Sequence, residues 1–124
     1  MKAIGALVIK EGKILIVKDS QGWLFPGGKI QEGETDEDCL TRELAEELSN
    51  AKMESMKPYK DYKSLSTKHN KEVTVGMYFI NLKDHNIKPS GEVEQAVWTS
   101  TPEEYGLIPT AKQIIQDLRK EGKL

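Results

Sequence analysis

Three glutamates, Glu43, Glu46 and Glu47, are the residues of this 124-residue chain whose type and spacing point most directly to chemistry. On a helix, positions three and four apart are neighbours, so the three carboxylates share one face while Leu40, Leu44 and Leu48 line an adjacent apolar face. Like charges at this spacing destabilise a helix by ~0.2–0.5 kcal/mol per pair unless a cation sits among them. Hard divalent cations such as Mg²⁺ suit oxygen ligands of this kind. Arg42, beside the cluster, and Glu34, ahead of it, make a supporting pair, because an arginine can hold a carboxylate in a fixed orientation through bidentate hydrogen bonds. Gly27-Gly28 lets the backbone approach a metal or a phosphate closely, with a carbonyl as one more oxygen ligand, and Lys29 could then meet a phosphate oxygen. Mg²⁺ bridging phosphate oxygens withdraws charge from phosphorus and lowers the pKa of a bound water, which a glutamate can deprotonate. The reaction implied is hydrolysis at phosphorus.

The elements that must hold these residues follow from patterning. Thr35 is a suitable N-cap, acids fill the first turn after it, and Leu40, Leu44 and Leu48 recur every fourth residue, so a helix is expected from Thr35 to Ser49. Ala3 to Ile9 and Ile14 to Val17 are β-rich, and Lys10-Glu11-Gly12-Lys13 between them has the length and glycine of a hairpin connection. Asp19-Ser20-Gln21-Gly22 is turn chemistry, and Trp23-Leu24-Phe25-Pro26-Gly27-Gly28 should run into an exposed loop. Met53 to Leu65 and Val73 to Leu82 read as strands joined by the loop Ser66-Thr67-Lys68-His69-Asn70-Lys71. Val93 to Thr99 reads as a short strand after the turn Lys88-Pro89-Ser90-Gly91, and Pro109 to Lys120 as a second helix with Gly122 past its end. The order is mixed α and β, with no internal repeat, low-complexity tract or long linker.

Composition bounds the function. A chain of 124 residues fits one domain, residues 1–124, with a sizeable core, and 37% hydrophobic against 31% charged residues describes a soluble globular chain. A net charge of −2 argues against a broad basic surface for long nucleic acid but leaves a small phosphorylated ligand open. The apolar start, Met1 to Ile9, is short and meets Lys10-Glu11-Gly12-Lys13 at once, so it reads as strand and turn rather than signal peptide or membrane span. A single cysteine, Cys39, excludes an internal disulfide and a cysteine-rich zinc site, which makes a reducing, cytoplasmic setting the default.

The stretch from Gly28 to Asn50 resembles the Nudix box: a glycine, five residues, a glutamate, seven residues, then Arg-Glu-aliphatic-any-Glu-Glu-any-Gly-aliphatic. Gly28, Glu34, Arg42, Glu43, Leu44, Glu46 and Glu47 match in register. The flanking Phe25-Pro26-Gly27-Gly28-Lys29 and Gly33-Glu34-Thr35 look like the MutT branch, whose members cleave nucleoside triphosphates. Two positions depart from the pattern: Ser49 stands at the glycine and Asn50 at the closing aliphatic. Glycine there helps end the helix, so serine should alter the helix-to-strand turn more than the chemistry. The resemblance implies an α/β/α sandwich with a mixed β-sheet. It assigns Glu43, Glu46 and Glu47 to metal coordination, with Glu43 a candidate base, the Gly27 carbonyl a candidate ligand, and Glu34 and Arg42 the brace. Family members often recruit another acid from a loop ahead of a late strand; Glu92 and Glu94 precede Trp98 in such a place, and Glu92, after the turn glycine Gly91, is preferred.

Taken alone the helical glutamates would be an ordinary solvated face; their register with Gly28, Glu34 and Arg42 decides for a metal site. His69 and His85 lie in polar loops and read as surface residues, and Cys39 as a small packing residue. Of Trp23, Tyr59, Tyr62, Tyr78 and Trp98, Trp23 is the best placed to stack on a base because it stands just before the glycine loop; Lys29 and Gly28 complete the expected substrate contacts. The expected activity is Mg²⁺-dependent cleavage (Mn²⁺ being a possible substitute) of a nucleoside triphosphate, ordinary or oxidised, to a monophosphate and pyrophosphate. Rival substrates are dinucleoside polyphosphates, ADP-ribose and other nucleotide sugars, and the rival of another class is a nucleotide-binding module without activity. No membrane and no long nucleic acid are expected as partners, and monomer and homodimer both stay open.

Overall fold

The computed structural model describes residues 1–49, 51–66 and 71–124. Among the described residues eight strands and two α-helices follow in chain order: β1 Lys2–Leu7, β2 Ile9–Lys10, β3 Lys13–Asp19, β4 Gly22–Leu24, β5 Gly27–Lys29, α1 Asp36–Glu47, β6 Met53–Ser66, β7 Lys71–Leu82, β8 Gln95–Thr99 and α2 Pro109–Lys120. A short 3₁₀ helix, Pro102–Tyr105, precedes α2.

The strands make two sheets, and the expected mixed sheet is the first of them. The first has the order β5-β1-β7-β6 and is mixed, with β1 parallel to β7 and antiparallel to β5. The second is antiparallel throughout: β3 pairs β8 along one edge and β2 and β4 along the other. The apolar alternation of β1 and β3 shows what lies on each face. Ile4, Ala6, Leu15 and Val17 pack with Leu40 and Leu44 of α1 and with Leu48 just past its end, whereas Leu7, Ile14 and Ile16 pack with Ala111, Ile114, Ile115 and Leu118 of α2. Strands buried on both faces by helices are what continuous runs such as Ile14-Leu15-Ile16-Val17 specify.

Two expectations need correction. The run Ala3 to Ile9 does not form one hairpin strand with Ile14 to Val17. Both edges of β1 are taken, by β7 and β5, so the chain breaks at Val8 and only Ile9–Lys10 turns back on β3. Glu11 and Gly12 make that turn with φ of 52° and 76°, the pair of positive angles that suits a two-residue hairpin. Nor does Trp23 to Gly28 pass straight into an exposed loop, which begins only after Lys29. The stretch contains β4 and β5, with Phe25 and Pro26 buried between them, because β1 and β3 both offer edges for pairing. Elsewhere β6 and β7 extend to Ser66 and Lys71, β8 begins at Gln95, and α2 has the expected bounds. The rest of the expected loop, 67–70, with His69, lies outside the described residues, as does Asn50.

Thr35 caps α1 in a capping box: its hydroxyl accepts from Asp38 N–H, and the Asp38 carboxylate accepts from Thr35 N–H. At the other end Leu48 is the cap residue and Ser49 takes φ 49°. That is the left-handed conformation in which a side chain costs about 1 kcal/mol relative to glycine. Ser49→Gly is therefore expected to raise the unfolding free energy by about 0.5–1 kcal/mol, read from urea titration. An unchanged or lower midpoint would mean that the serine side chain contributes something at this turn.

Candidate active site

The site is assembled where α1 crosses β5. Pairing of Ile4 with Gly28 and of Gly5 with Gly27 sets β5 against β1, and α1 lies over the glycines. The approach is close enough to demand glycine at Gly28, where a Cβ would fall 2.5 Å from Glu43 Oε1. Cys39, buried on the same helix, points its thiol at the Gly28 carbonyl at 3.6 Å, and burial pushes that thiol up to about 11, consistent with a packing residue.

Arg42 organises the carboxylates. Its Nε and Nη2 donate to the two oxygens of Glu34 at 2.8 and 2.9 Å, Nη2 also donates to the Lys29 carbonyl at 3.0 Å, and Nη1 donates to Glu43 Oε1 at 2.6 Å. Glu34 accepts the Gln31 N–H at 2.7 Å as well. One guanidinium thus fastens the loop Lys29 to Glu34 to the acid cluster, with all three nitrogens engaged. These bonds, Arg42 first and the Gln31 N–H second, bring Glu34 from 4.5 down to about 2. Because its folded pKa lies below the unfolded one, this brace contributes fully above pH 4.5 and is lost as pH falls toward 2. In Glu34→Gln the decline of stability across that window is expected to flatten relative to wild type in denaturation at stepped pH. A variant with the same acid slope would rule out the brace.

Glu43, Glu46, Glu47 and Glu92 line one cleft of about 470 Å³, together with Gly91. Glu47 accepts the Gly27 N–H at 2.9 Å, yet burial pushes its carboxyl up to about 8, and the nearby Glu43 adds to the shift. Glu43 is also raised, by burial first, with Arg42 opposing. Glu46 is exposed, 3.7 Å from Arg42 Nη1. Among the described residues these acids do not close on one point as a ready cage of three ligands. Glu43 is turned to Arg42, and Glu47 to Gly27. The donor set nevertheless fits a hard divalent cation: oxygen donors alone, and a half-buried carboxylate beside another whose ionised form is held at a cost that a cation would remove.

On the other side of Gly27-Gly28-Lys29 lies a second cavity, of about 210 Å³. Its walls are apolar, with Val75 and Met77 from β7, Phe25 from between β4 and β5, and Ile108 and Ile114 from the α2 side, and its polar groups are Gln21, Lys29, Ser64 and Thr110. Thr110 Oγ1 donates to Ser64 Oγ at 2.7 Å. Sequence reasoning missed this cavity, because its lining comes from β1, β4, β5, β6, β7 and α2 and no local pattern marks it. Trp23 does not line it; the ring sits edge-on to Tyr105, with centroids 5.1 Å apart. Tyr59 and Tyr62 donate to Glu121 and Asp117 of the α2 end, and Tyr78 donates to Asp36. Trp98 lies against His85, which is also 3.2 Å from Lys10 Nζ, and neither ring lines the cleft. Glu94 begins the approach to β8 through its N–H to Lys18 O and does not line the cleft.

The chain belongs to the Nudix family, whose NUDIX domain pattern matches residues 1–118. It is thus a hydrolase acting on phosphorus-containing anhydrides, in a family that uses divalent metal ions. No curated protein sequence matches the chain. Among solved structures it is similar to a MutT protein from Methanosarcina mazei Go1, at 20% identity and TM-score 0.80 over 100% of this chain and 96% of that one. A MutT NUDIX hydrolase from Burkholderia pseudomallei is 18% identical, TM-score 0.80, over 93% and 95% of the two chains. The NUDIX domain of NrtR from Shewanella oneidensis, solved with ADP ribose, is 18% identical, TM-score 0.79, over 98% and 87%. At such identities the likeness concerns the fold. No described helix is long and apolar enough to cross a membrane.

Proposed function

We propose that this chain is a single Nudix domain that hydrolyses nucleoside triphosphates, ordinary or oxidised, to a monophosphate and pyrophosphate with Mg²⁺. The observation that carries the reading is the adjacency of two unlike spaces across Gly27-Gly28-Lys29: an acidic cleft and an apolar cavity. The first suits a metal-bound polyphosphate and the second the flat face of a base.

Glu43, Glu46, Glu47 and Glu92 would hold the metal, with the Gly27 carbonyl as a further oxygen donor. When bound, the ion polarises the phosphoanhydride and acidifies water. Glu43, oriented by Arg42 Nη1, takes the proton of the attacking water. Arg42 and Glu34 keep that carboxylate from swinging away, and Lys29, at the rim of the cavity, meets a phosphate oxygen as substrate enters. The test is a screen of nucleoside triphosphates, dinucleoside polyphosphates and ADP-ribose with Mg²⁺ or Mn²⁺, scoring pyrophosphate against phosphate and repeated in ¹⁸O-water to locate the cleaved bond. Pyrophosphate from triphosphates is expected. Turnover of ADP-ribose alone, the ligand of the Shewanella oneidensis domain, would replace the substrate assignment.

A further inference from the structure

The loop that carries Glu92 also finishes α1. The last turn of a helix leaves carbonyls without donors, and at a glycine-type exit the N–H following the cap residue closes back on the carbonyl three positions earlier. Here that N–H, of Ser49, donates to Ser90 Oγ at 2.7 Å, and the hydroxyl donates to Glu46 O at 2.7 Å. A side chain more than forty residues away therefore stands inside the helix's own closing bond. The Ser90 N–H occupies the next free carbonyl, Glu47 O, at 2.9 Å. Gly91, at φ 59°, passes so near the helix end that a Cβ would fall 2.9 Å from Glu46 O, and Val93 N–H closes the turn on Ser90 O at 3.1 Å. The loop is thus bonded to the backbone of Glu46 and Glu47, whose carboxylates line the cleft, and Glu92 stands two residues from the clasp.

We propose that Ser90 is a positioning residue, whose hydroxyl fixes Glu92 against the acids of α1 so that four carboxylates rather than three serve the metal. This rests on the metal-hydrolase reading above. Ser90→Ala leaves Ser49 N–H and Glu46 O free to bond directly, so α1 keeps an ending while the loop loses an anchor.

The test measures Mn²⁺ affinity by calorimetry and the Mg²⁺-dependent rise in Tm, beside turnover, in Ser90→Ala, Ser90→Thr, Glu92→Gln and the double variant Ser90→Ala with Glu92→Gln. Metal affinity is expected to fall about 10- to 100-fold in Ser90→Ala, as for other groups that orient a ligand, and to return in Ser90→Thr. In the Glu92→Gln background, Ser90→Ala should add no further loss. Wild-type affinity in Ser90→Ala, or the same added loss with and without Glu92, would overturn the clasp while leaving the hydrolase reading intact. A wild type that binds neither ion would overturn both.

Discussion

Glu47→Gln is expected to lower turnover by about 10²- to 10⁴-fold while leaving the metal-free protein as stable as wild type or more so. The two halves of this expectation have one cause. Glu47 is held where burial disfavours its charge, with the Gly27 N–H as its hydrogen-bond donor. The Oε1 of glutamine can accept the same N–H, so the contact between α1 and β5 survives. The substitution removes the charge that burial penalises and the anionic oxygen that a metal would need. The Mg²⁺-dependent rise in Tm expected for wild type, which follows by mass action from binding to the native state, should shrink or vanish. Near-normal turnover, or an undiminished metal-dependent rise, would remove Glu47 from the site.

The neighbouring glycines are expected to fail in opposite ways. At Gly27, φ is 142° and a Cβ would fall 2.1 Å from Ile4 O and 2.8 Å from Gly5 Cα, all backbone of β1. Backbone cannot yield without breaking the β1 to β5 pairing, so Gly27→Ala should cost more than about 3 kcal/mol or abolish folding. At Gly28 the obstacle is the far end of a flexible side chain, the Glu43 carboxyl. Gly28→Ala should therefore fold, displace that carboxyl, and lose roughly 10²-fold in turnover, the scale of a misplacement of about 1 Å. Denaturation midpoints and steady-state rates of both variants check this. A stable Gly27→Ala or a fully active Gly28→Ala would contradict the geometry.

How much of this was legible beforehand depends on whether the information is local. The helix from Thr35 and the shared face of Glu43, Glu46 and Glu47 follow from caps and periodicity within one segment, and so does α2 from Pro109. Arg42 and Glu34 are only eight residues apart, and their expected pairing is found in the structure. What could not be read is anything that requires two distant segments at once. The break at Val8 depends on β7 claiming one edge of β1, and β7 lies some seventy residues downstream. The apolar cavity has walls from six elements, and Trp23, close in sequence to Gly27 and Gly28, is drawn instead to Tyr105. The role of Ser90 at the end of α1 is likewise invisible in a segment that reads only as a turn.

The left-handed Ser49 bears on how the box should be searched for. Written in residue letters, position 49 is a mismatch; written in torsion angles it is a match, since serine adopts the positive φ that glycine supplies freely. The requirement at that place is a backbone angle, and any residue whose strain is met elsewhere in the fold can satisfy it. Patterns that insist on the letter will pass over chains that keep the acids and the turn and have changed only the residue between them.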